Sequence, residues 1–362
     1  MGISGRIAAF FLASRLTPLL GLVALLLGLF AVGVTPREEE PQINVTMANV
    51  MVPFPGATST DVERLVAGPL EQRLSDIQGI EHVYSVSRPG VAVFTVQFEV
   101  GVPRESALVR LYDSVMTSRD LFPAELGVGQ ALVKPKGIDD VPVVSFTLWT
   151  KNPEFGAAEL ERVAHATEAE LKRVQGTRDV GVIGGPGRVL RVDLDVDKLR
   201  AVDMSAMEIY SALQSANARL PAGNRVENNT EVTVITGDFF RTRADLESYI
   251  IGVREGRPVY LSEVAKLSDG PEQPQRYVWH GVGAGENAEK AGQEYPAVTM
   301  TITKKPGENA VDIAEKLLSR MSSLKGTVIP DDVDVSVTRN YGETANDKAM
   351  KLIQKLIFAT LS

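Results

Sequence analysis

An α+β protein set behind one apolar helix is the expected architecture, on three grounds. The run Leu16–Val34 holds nineteen residues without a charge, enough for a helix of about 28 Å, close to a bilayer's hydrocarbon thickness. From about residue 42 to 340, apolar residues alternate in some stretches and recur every three to four residues in others, the signatures of strands and amphipathic helices. Several landmarks of that region return 97 residues later, which predicts a repeated unit. Composition fits a packed protein, since 44% hydrophobic and 23% charged residues are not those of a disordered chain. A net charge of −8 lacks the basic surplus of a nucleic-acid binder. With no cysteine, disulfides and thiol chemistry are excluded and the redox compartment stays undecided.

The apolar helix comes first. Arg6 and Arg15 precede it, residues 1–35 hold no acid, and Thr35-Pro36-Arg37-Glu38-Glu39-Glu40-Pro41 follows. The positive-inside rule then leaves the N-terminus in the cytoplasm and places the chain after Pro36 outside. A cleaved signal peptide ending at Ala31-Val32-Gly33 is the alternative, although its apolar core would be long. A strand at 43–52 is broken by Pro53-Phe54-Pro55-Gly56, and Thr60 with Glu63 is expected to form a capping box. The helix after it carries Val62, Leu65, Val66, Leu70, Leu74 and Ile77 on one face. Strands at 82–87 and 91–100 flank a Pro89-Gly90 turn. Next come a helix with Leu108, Leu111, Tyr112, Val115 and Met116 at helical spacing and a strand at 131–134.

The pattern then restarts, with a strand at 143–150 and a helix bearing Leu160, Val163, Ala164, Leu171 and Val174. Gln78-Gly79 recurs as Gln175-Gly176, and Pro89-Gly90 as Pro186-Gly187. Past the second turn the inward phase slips by one residue, which requires a bulge or an altered turn. A duplicated, ferredoxin-like β-α-β-β unit is therefore expected. Ser205 with Glu208 caps a further helix, followed by a polar strand region at 225–238, a segment at 242–251 and a strand at 258–267. A loop at 281–294 precedes a strand at 295–304. Gly307-Glu308-Asn309 caps a helix carrying Ile313, Leu317 and Met321, and a strand covers 333–338. The uncapped end, with Lys348, Lys351 and Lys355 ahead of Leu356-Ile357-Phe358, fits either the start of a second membrane span or an amphipathic tail.

Chemistry is sparse. There is no P-loop, and the glycines of 181–187 match a turn better than a dinucleotide fingerprint. His82, His165 and His280 are scattered without zinc spacing. Asp193, Asp195 and Asp197 alternate along a predicted strand, an arrangement for a divalent cation or, more simply, a solvated edge. Nothing resembles a nucleophile–base pair, so an enzyme is not expected.

An ordered series of short motifs is more specific. Thr35-Pro36-Arg37-Glu38-Glu39-Glu40-Pro41-Gln42-Ile43 leads into Val52-Pro53-Phe54-Pro55-Gly56-Ala57, Pro69-Leu70-Glu71, Ile77-Gln78-Gly79-Ile80 and Ser85-Val86-Ser87-Arg88-Pro89-Gly90. Pro306-Gly307-Glu308-Asn309-Ala310 and Arg339-Asn340-Tyr341-Gly342-Glu343-Thr344-Ala345-Asn346 come later. Together they resemble the N-terminal third of a resistance–nodulation–division efflux permease of the acriflavine-resistance, multidrug type. The resemblance covers nearly the whole chain. It implies an N-terminal segment and first membrane helix at 1–35, and a first periplasmic porter subdomain at 42–133. It further implies a second, split porter subdomain at 134–184 and 275–340, a docking subdomain at 185–274, and the truncated start of a second membrane helix at 345–362.

The function so implied is a secondary transporter, part of a proton-motive-force-driven pump in the bacterial inner membrane. It would export amphiphilic or hydrophobic compounds such as drugs, detergents and biocides, with residues 36–345 in the periplasm. The resemblance also implies a homotrimer working with a periplasmic adaptor and an outer-membrane channel, without nucleic acid and without a cofactor beyond the proton gradient. Leu108, Leu111, Tyr112 and Val115 fall on the helix that would line the central pore. Val141, Val143, Ile183, Tyr277 and Trp279 fall where the family lines its drug pocket, although each also fits plain core. Val141 and Ile183 stand where relatives carry Phe. The family's proton-carrying residues lie in middle membrane helices that this chain lacks, so no relay residue and no metal ligand is named. Two alternatives stay open. One is an anchored periplasmic binding or scaffold module, since fold does not fix function. The other is a heavy-metal exporter of the same superfamily, for which Met47, Met51, Met204 and Met207 make a poor soft-ligand set.

Overall fold

A computed structural model describes residues 2, 5, 10–11, 14, 16–38, 43, 45–122, 124–274, 276–283, 285 and 292–361. Helix α1 (Leu16–Val34) matches the apolar run residue for residue. An 18-residue stretch of it has a mean hydropathy of 2.3, and none of the helix is buried in the protein. Among the described residues it is the one helix long and apolar enough to cross a membrane. Arg6, Arg15 and residues 39–42, which carry the flanking charge pattern, lie outside the described residues.

The first αβ unit begins with β1 (Met47–Pro53). Helix α2 (Ser59–Val62) runs through a π-helical turn, Glu63–Ala67, into α3 (Gly68–Ser75). Then come β2 (Ile80–Arg88), β3 (Val91–Phe98), α4 (Arg104–Thr117) and β4 (Leu132–Lys136). The sheet is antiparallel in the order β2-β3-β1-β4. Val50 faces both Phe94 and Val133 across the ladder. Alternate residues of β1 and β3 meet Val66, Leu70 and Leu74 of the helical stretch and Leu111 and Val115 of α4 in one core. Gly90, at φ 80°, makes the expected turn in a conformation that costs other residues strain.

Two details differ from expectation. The capping box is formed by Thr58 and Asp61, not Thr60 and Glu63. Thr58 is the last extended residue, at φ −73° and ψ 164°, so its side chain is the one placed to reach the free N–H groups. Leu65 is exposed, whereas Val62, Val66, Leu70 and Leu74 are buried. The wider π turn stacks residues four apart and rotates Leu65 outward.

The second stretch opens as expected with β5 (Val144–Thr150), α5 (Ala157–Lys172) and β6 (Thr177–Ile183). It does not continue as a hairpin. Gly184 and Gly185 both take positive φ, and β7 (Arg188–Leu194) leaves the sheet to start a separate unit. That unit contains α6 (Val196–Ala201), α7 (Ala206–Ala216) and the hairpin β8 (Leu220–Glu227) and β9 (Thr230–Thr236). After these come α8 (Arg243–Glu247), β10 (Ile250–Arg254), β11 (Arg257–Tyr260), α9 (Leu261–Val264) and β12 (Ala265–Pro271). β12 pairs antiparallel with β7. The strand expected at 258–267 is thus interrupted by α9, which buries Leu261 and Val264 in this unit's core. The Ser205–Glu208 box caps α7 as expected.

The chain then returns through β13 (Trp279–Gly281), β14 (Glu294–Lys304), α10 (Ala310–Leu324) and β15 (Val333–Asn340). β14 lies between β6 and β5, and β15 lies on the far side of β5. The order β6-β14-β5-β15 repeats that of the first sheet, and β13 extends the same edge of β14 as β6. The phase slip after Pro186-Gly187 is therefore a departure from the sheet rather than a bulge. Of the expected loop at 281–294, residues 284 and 286–291 lie outside the described residues. Helix α11 (Tyr341–Leu361) follows β15 directly. Leu352, Leu356, Ile357 and Phe358 are exposed along it.

Candidate functional site

The second sheet has two unlike faces because its strands alternate. Val298, Met300 and Ile302 of β14, with Phe146 and Leu148 of β5, are fully buried in the core beneath α5 and α10. The opposite face carries Thr147, Trp149, Tyr295, Thr299 and Ser336. Trp149 stacks on His280 at 4.5 Å between ring centroids and 12° between planes, and meets Tyr295 at 5.0 Å. Its indole N–H donates to Ser336 Oγ at 2.9 Å, and Lys151 Nζ stands 5.3 Å from the ring centroid. Beside it the Thr147 hydroxyl lies 3.0 Å from that of Thr299 and 3.2 Å from that of Thr338. A surface of flat rings bordered by hydroxyls suits amphiphilic molecules, through burial with few directional demands plus scattered hydrogen bonds.

The five pocket residues expected from the sequence fall around this sheet in two groups. Tyr277 and Trp279 are 60% and 59% exposed, with rings stacked at 5.4 Å and 5°. Trp279 faces Pro296 across the ladder, and Ile183, at the end of β6, faces Thr299 on the same edge of β14. Val143 is buried in the core, its N–H bonded to Ile302 O and its C=O accepting from Tyr341 N–H, both at 2.8 Å. Val141 follows the short 3₁₀ turn Ile138–Asp140 and is half-buried. Along β14, Thr299 opposite Ile183 is three positions from Ile302 and Pro296 opposite Trp279 is six, so the two groups lie about 10 to 20 Å apart. Sequence reasoning missed Trp149, His280 and Tyr295. The alternation Thr147-Leu148-Trp149 was a usable signal, but nothing local links Trp149 to residues 131 or more positions away.

On α4, Leu111 and Val115 are buried and Leu108 packs against the same core. Tyr112 is partly exposed and donates its hydroxyl to Val133 O at 3.2 Å. Val109 and Met116, not singled out as pore residues, are the apolar side chains that α4 turns outward.

The three aspartates do not share a strand face. β7 ends at Leu194, and Asp195 is the N-cap of α6, accepting from the N–H groups of Asp197 and Lys198 at 3.1 and 3.2 Å. Among the described residues no group of histidines and carboxylates could hold a metal ion. A concavity of about 780 Å³ lies instead in the unit begun by β7, lined by Leu190, Tyr210, Leu213 and Phe240 together with Arg188 and Arg241. Asp269 pairs with Arg188 through both carboxylate oxygens, at 2.7 and 2.6 Å. That hydrogen bonding holds the carboxyl below its ordinary range and raises the guanidinium.

Comparison with known proteins bears on all of these elements. The chain is similar to Multidrug resistance protein MdtC of Edwardsiella ictaluri (strain 93-146), with 25% identity over 344 residues, or 95% of this chain and 32% of that protein. It therefore spans about a third of the length of the curated relative it matches. The family model described as the AcrB/AcrD/AcrF family matches residues 7–361, from the segment ahead of α1 to the last turn of α11. By that match this chain belongs to the AcrB/AcrD/AcrF family of resistance–nodulation–division permeases.

Proposed function

We propose that this chain is part of an inner-membrane multidrug efflux pump that exports amphiphilic and hydrophobic compounds and is driven by proton entry. The observation that carries this is the family match along residues 7–361; the name of the relative, a multidrug resistance protein, agrees with it. In this view α1 crosses the membrane with its N-terminus in the cytoplasm, residues 36–345 are periplasmic, and α11 starts a second span. The first unit, at 42–133, and the second, at 134–184 with 275–340, are duplicated ferredoxin-like porter subdomains. Their common strand order supports that assignment. The unit at 185–274 is the docking subdomain. Drugs meet the open face and edge of the second sheet, where Ile183 flanks the Trp149 stack and the Tyr277–Trp279 pair borders the same edge from the other side of β13, with Val141 and Val143 behind the far end. Helix α4, through Leu108, Leu111, Tyr112 and Val115, borders the pore of a homotrimer. A periplasmic adaptor and an outer-membrane channel complete the export path.

The test is dye accumulation in cells stripped of their own efflux pumps and expressing the complete gene. An amphiphilic fluorescent dye should accumulate less than in control cells, and a protonophore should abolish the difference. Unchanged accumulation, with the protein confirmed in the membrane fraction, would overturn the transport function in favour of an anchored scaffold.

A further inference from the structure

Chain order places the first αβ unit directly after α1, so α1 would be expected to steer that unit. The bonds made just beyond α1 lead elsewhere. Arg37 N–H donates to Asn309 Oδ1 at 3.4 Å, and Arg37 C=O accepts from Ala310 N–H at 3.1 Å. The Arg37 guanidinium donates to Asn346 Oδ1 at 2.6 Å. Glu38 Oε1 accepts from Lys304 Nζ at 2.7 Å, with the two side chains only 18% and 10% exposed. Each of these bonds runs to the second unit or to its continuation: the end of β14, the start of α10, and α11.

The receiving groups are themselves fixed. Asn309 Oδ1 caps α10 by accepting from Val311 N–H at 3.0 Å, so one carboxamide oxygen both starts that helix and holds Arg37. Helix α11 is tied to the second sheet by Tyr341 N–H to Val143 O. At its second residue, Gly342, a Cβ would lie 2.4 Å from Ala314 Cβ of α10. Further along, Ala31, Val32 and Thr35 of the α1 end face Ala349, Leu352 and Ile353 of α11 across a cleft of about 470 Å³. A nearly buried ion pair cannot be half broken cheaply, because the remaining charge would stay out of water. The bonds to Arg37 resist rotation as well as separation.

We propose that Arg37, Glu38 and Lys304 form a clasp that makes α1, α11 and the second unit one rigid body. The first unit, although next in sequence to α1, makes none of these bonds, and it also joins the second unit at its other end, where β4 runs through Ile138–Asp140 into β5. These are positioning residues. Under the proposed function, a displacement of α1 in the membrane would move the drug-facing sheet rather than the unit that the chain enters first.

The absence of cysteine allows paired spin labels without background. In the full chain in lipid vesicles, labels at Val34→Cys with Lys316→Cys would report α1 against α10. Labels at Val34→Cys with Arg73→Cys would report α1 against the first unit. The α1–α10 distance distribution should be narrow, and narrower than the other one. Glu38→Gln and Lys304→Met should each abolish the narrowness of the first, and the exchanged pair Glu38→Lys with Lys304→Glu should restore it. A distribution that stays narrow in both single variants would overturn the clasp, as would an exchanged pair that folds, by circular dichroism, without restoring it. If the single variants do not fold, Asn346→Ala, which removes only one acceptor, is expected to broaden the same distribution, and an unchanged distribution would overturn the clasp. The clasp also rests on α1 being a membrane span only for its role in transport. Release of the chain by alkaline carbonate would sink the membrane assignment and leave the distances in detergent to decide the clasp.

Discussion

Glu168 on α5 accepts from Lys172 Nζ at 2.7 Å and lies 3.0 Å from His165 Nδ1. The lysine hydrogen bond first, and the histidine after it, hold its carboxyl below the ordinary value of 4.5. Asp245 is held low by the N–H groups of Arg241 and Thr242, and Asp269 by Arg188. A carboxyl depressed on folding contributes stability that is present above its unfolded value and lost as pH falls through its folded one. The denaturation midpoint should therefore be flat from neutral pH down to about pH 5 and fall steadily below about 4.5. In Glu168→Gln the acid-side slope should be shallower, as read by urea unfolding at stepped pH. A midpoint unchanged down to about pH 3 would contradict the pairing. At this scale the sequence carried the residue types but not always the register. Thr58 and Thr60 are both plausible caps, and only the backbone angle where the helix begins decides between them.

At the scale of elements, most helices and strands were legible because each buries one face, and the burial period shows in the sequence. The exceptions have physical causes. The π turn in Glu63–Ala67 changes the period within one helix. Pro186-Gly187 repeats a turn signal without the hairpin, because the partner of β6 is a strand more than a hundred residues on. A local turn signal cannot report that choice. The contact of α10 with α11 is just as hidden, since it depends on one missing Cβ. In Gly342→Ala the new methyl would lie 2.4 Å from Ala314 Cβ and 2.9 Å from Ala310 O, closer than atoms pack. One helix must then move, at about 1–3 kcal/mol by the usual cost of overpacking. Gly187→Ala, with nothing within 4 Å and an ordinary φ, should stay within about 0.5 kcal/mol. Equal losses in urea unfolding of the two variants would show that the close approach carries no energy.

Over the whole molecule, the two αβ units share a strand order while only the first is contiguous in sequence. The insertion from β7 to β12 separates β6 from β14, so the common strand order is signalled at its start and hidden after it. The candidate site is divided in the same way. Ile183 and Trp149 are read from one half and His280 and Tyr295 from the other, and only the closed sheet brings them together. The inserted unit holds the clearest sign of a partner. Every residue of β8 and β9 is exposed, including Leu220, Val226, Val232, Val234 and Ile235. No residue of the hairpin enters that unit's core. A bare two-stranded hairpin is marginal in water, and a projecting arm with apolar side chains calls for a covering surface. Under the proposed homotrimer that surface is a neighbouring copy. Replacing residues 221–235 with a short Gly-Ser link should leave circular dichroism and the melting of the remaining fold unchanged, because the core beneath does not include them. The trimer read by light scattering should be lost. A trimer that survives the shortening would place the contact elsewhere on the molecule, and a parent protein that is monomeric in the same detergent would remove the trimer itself.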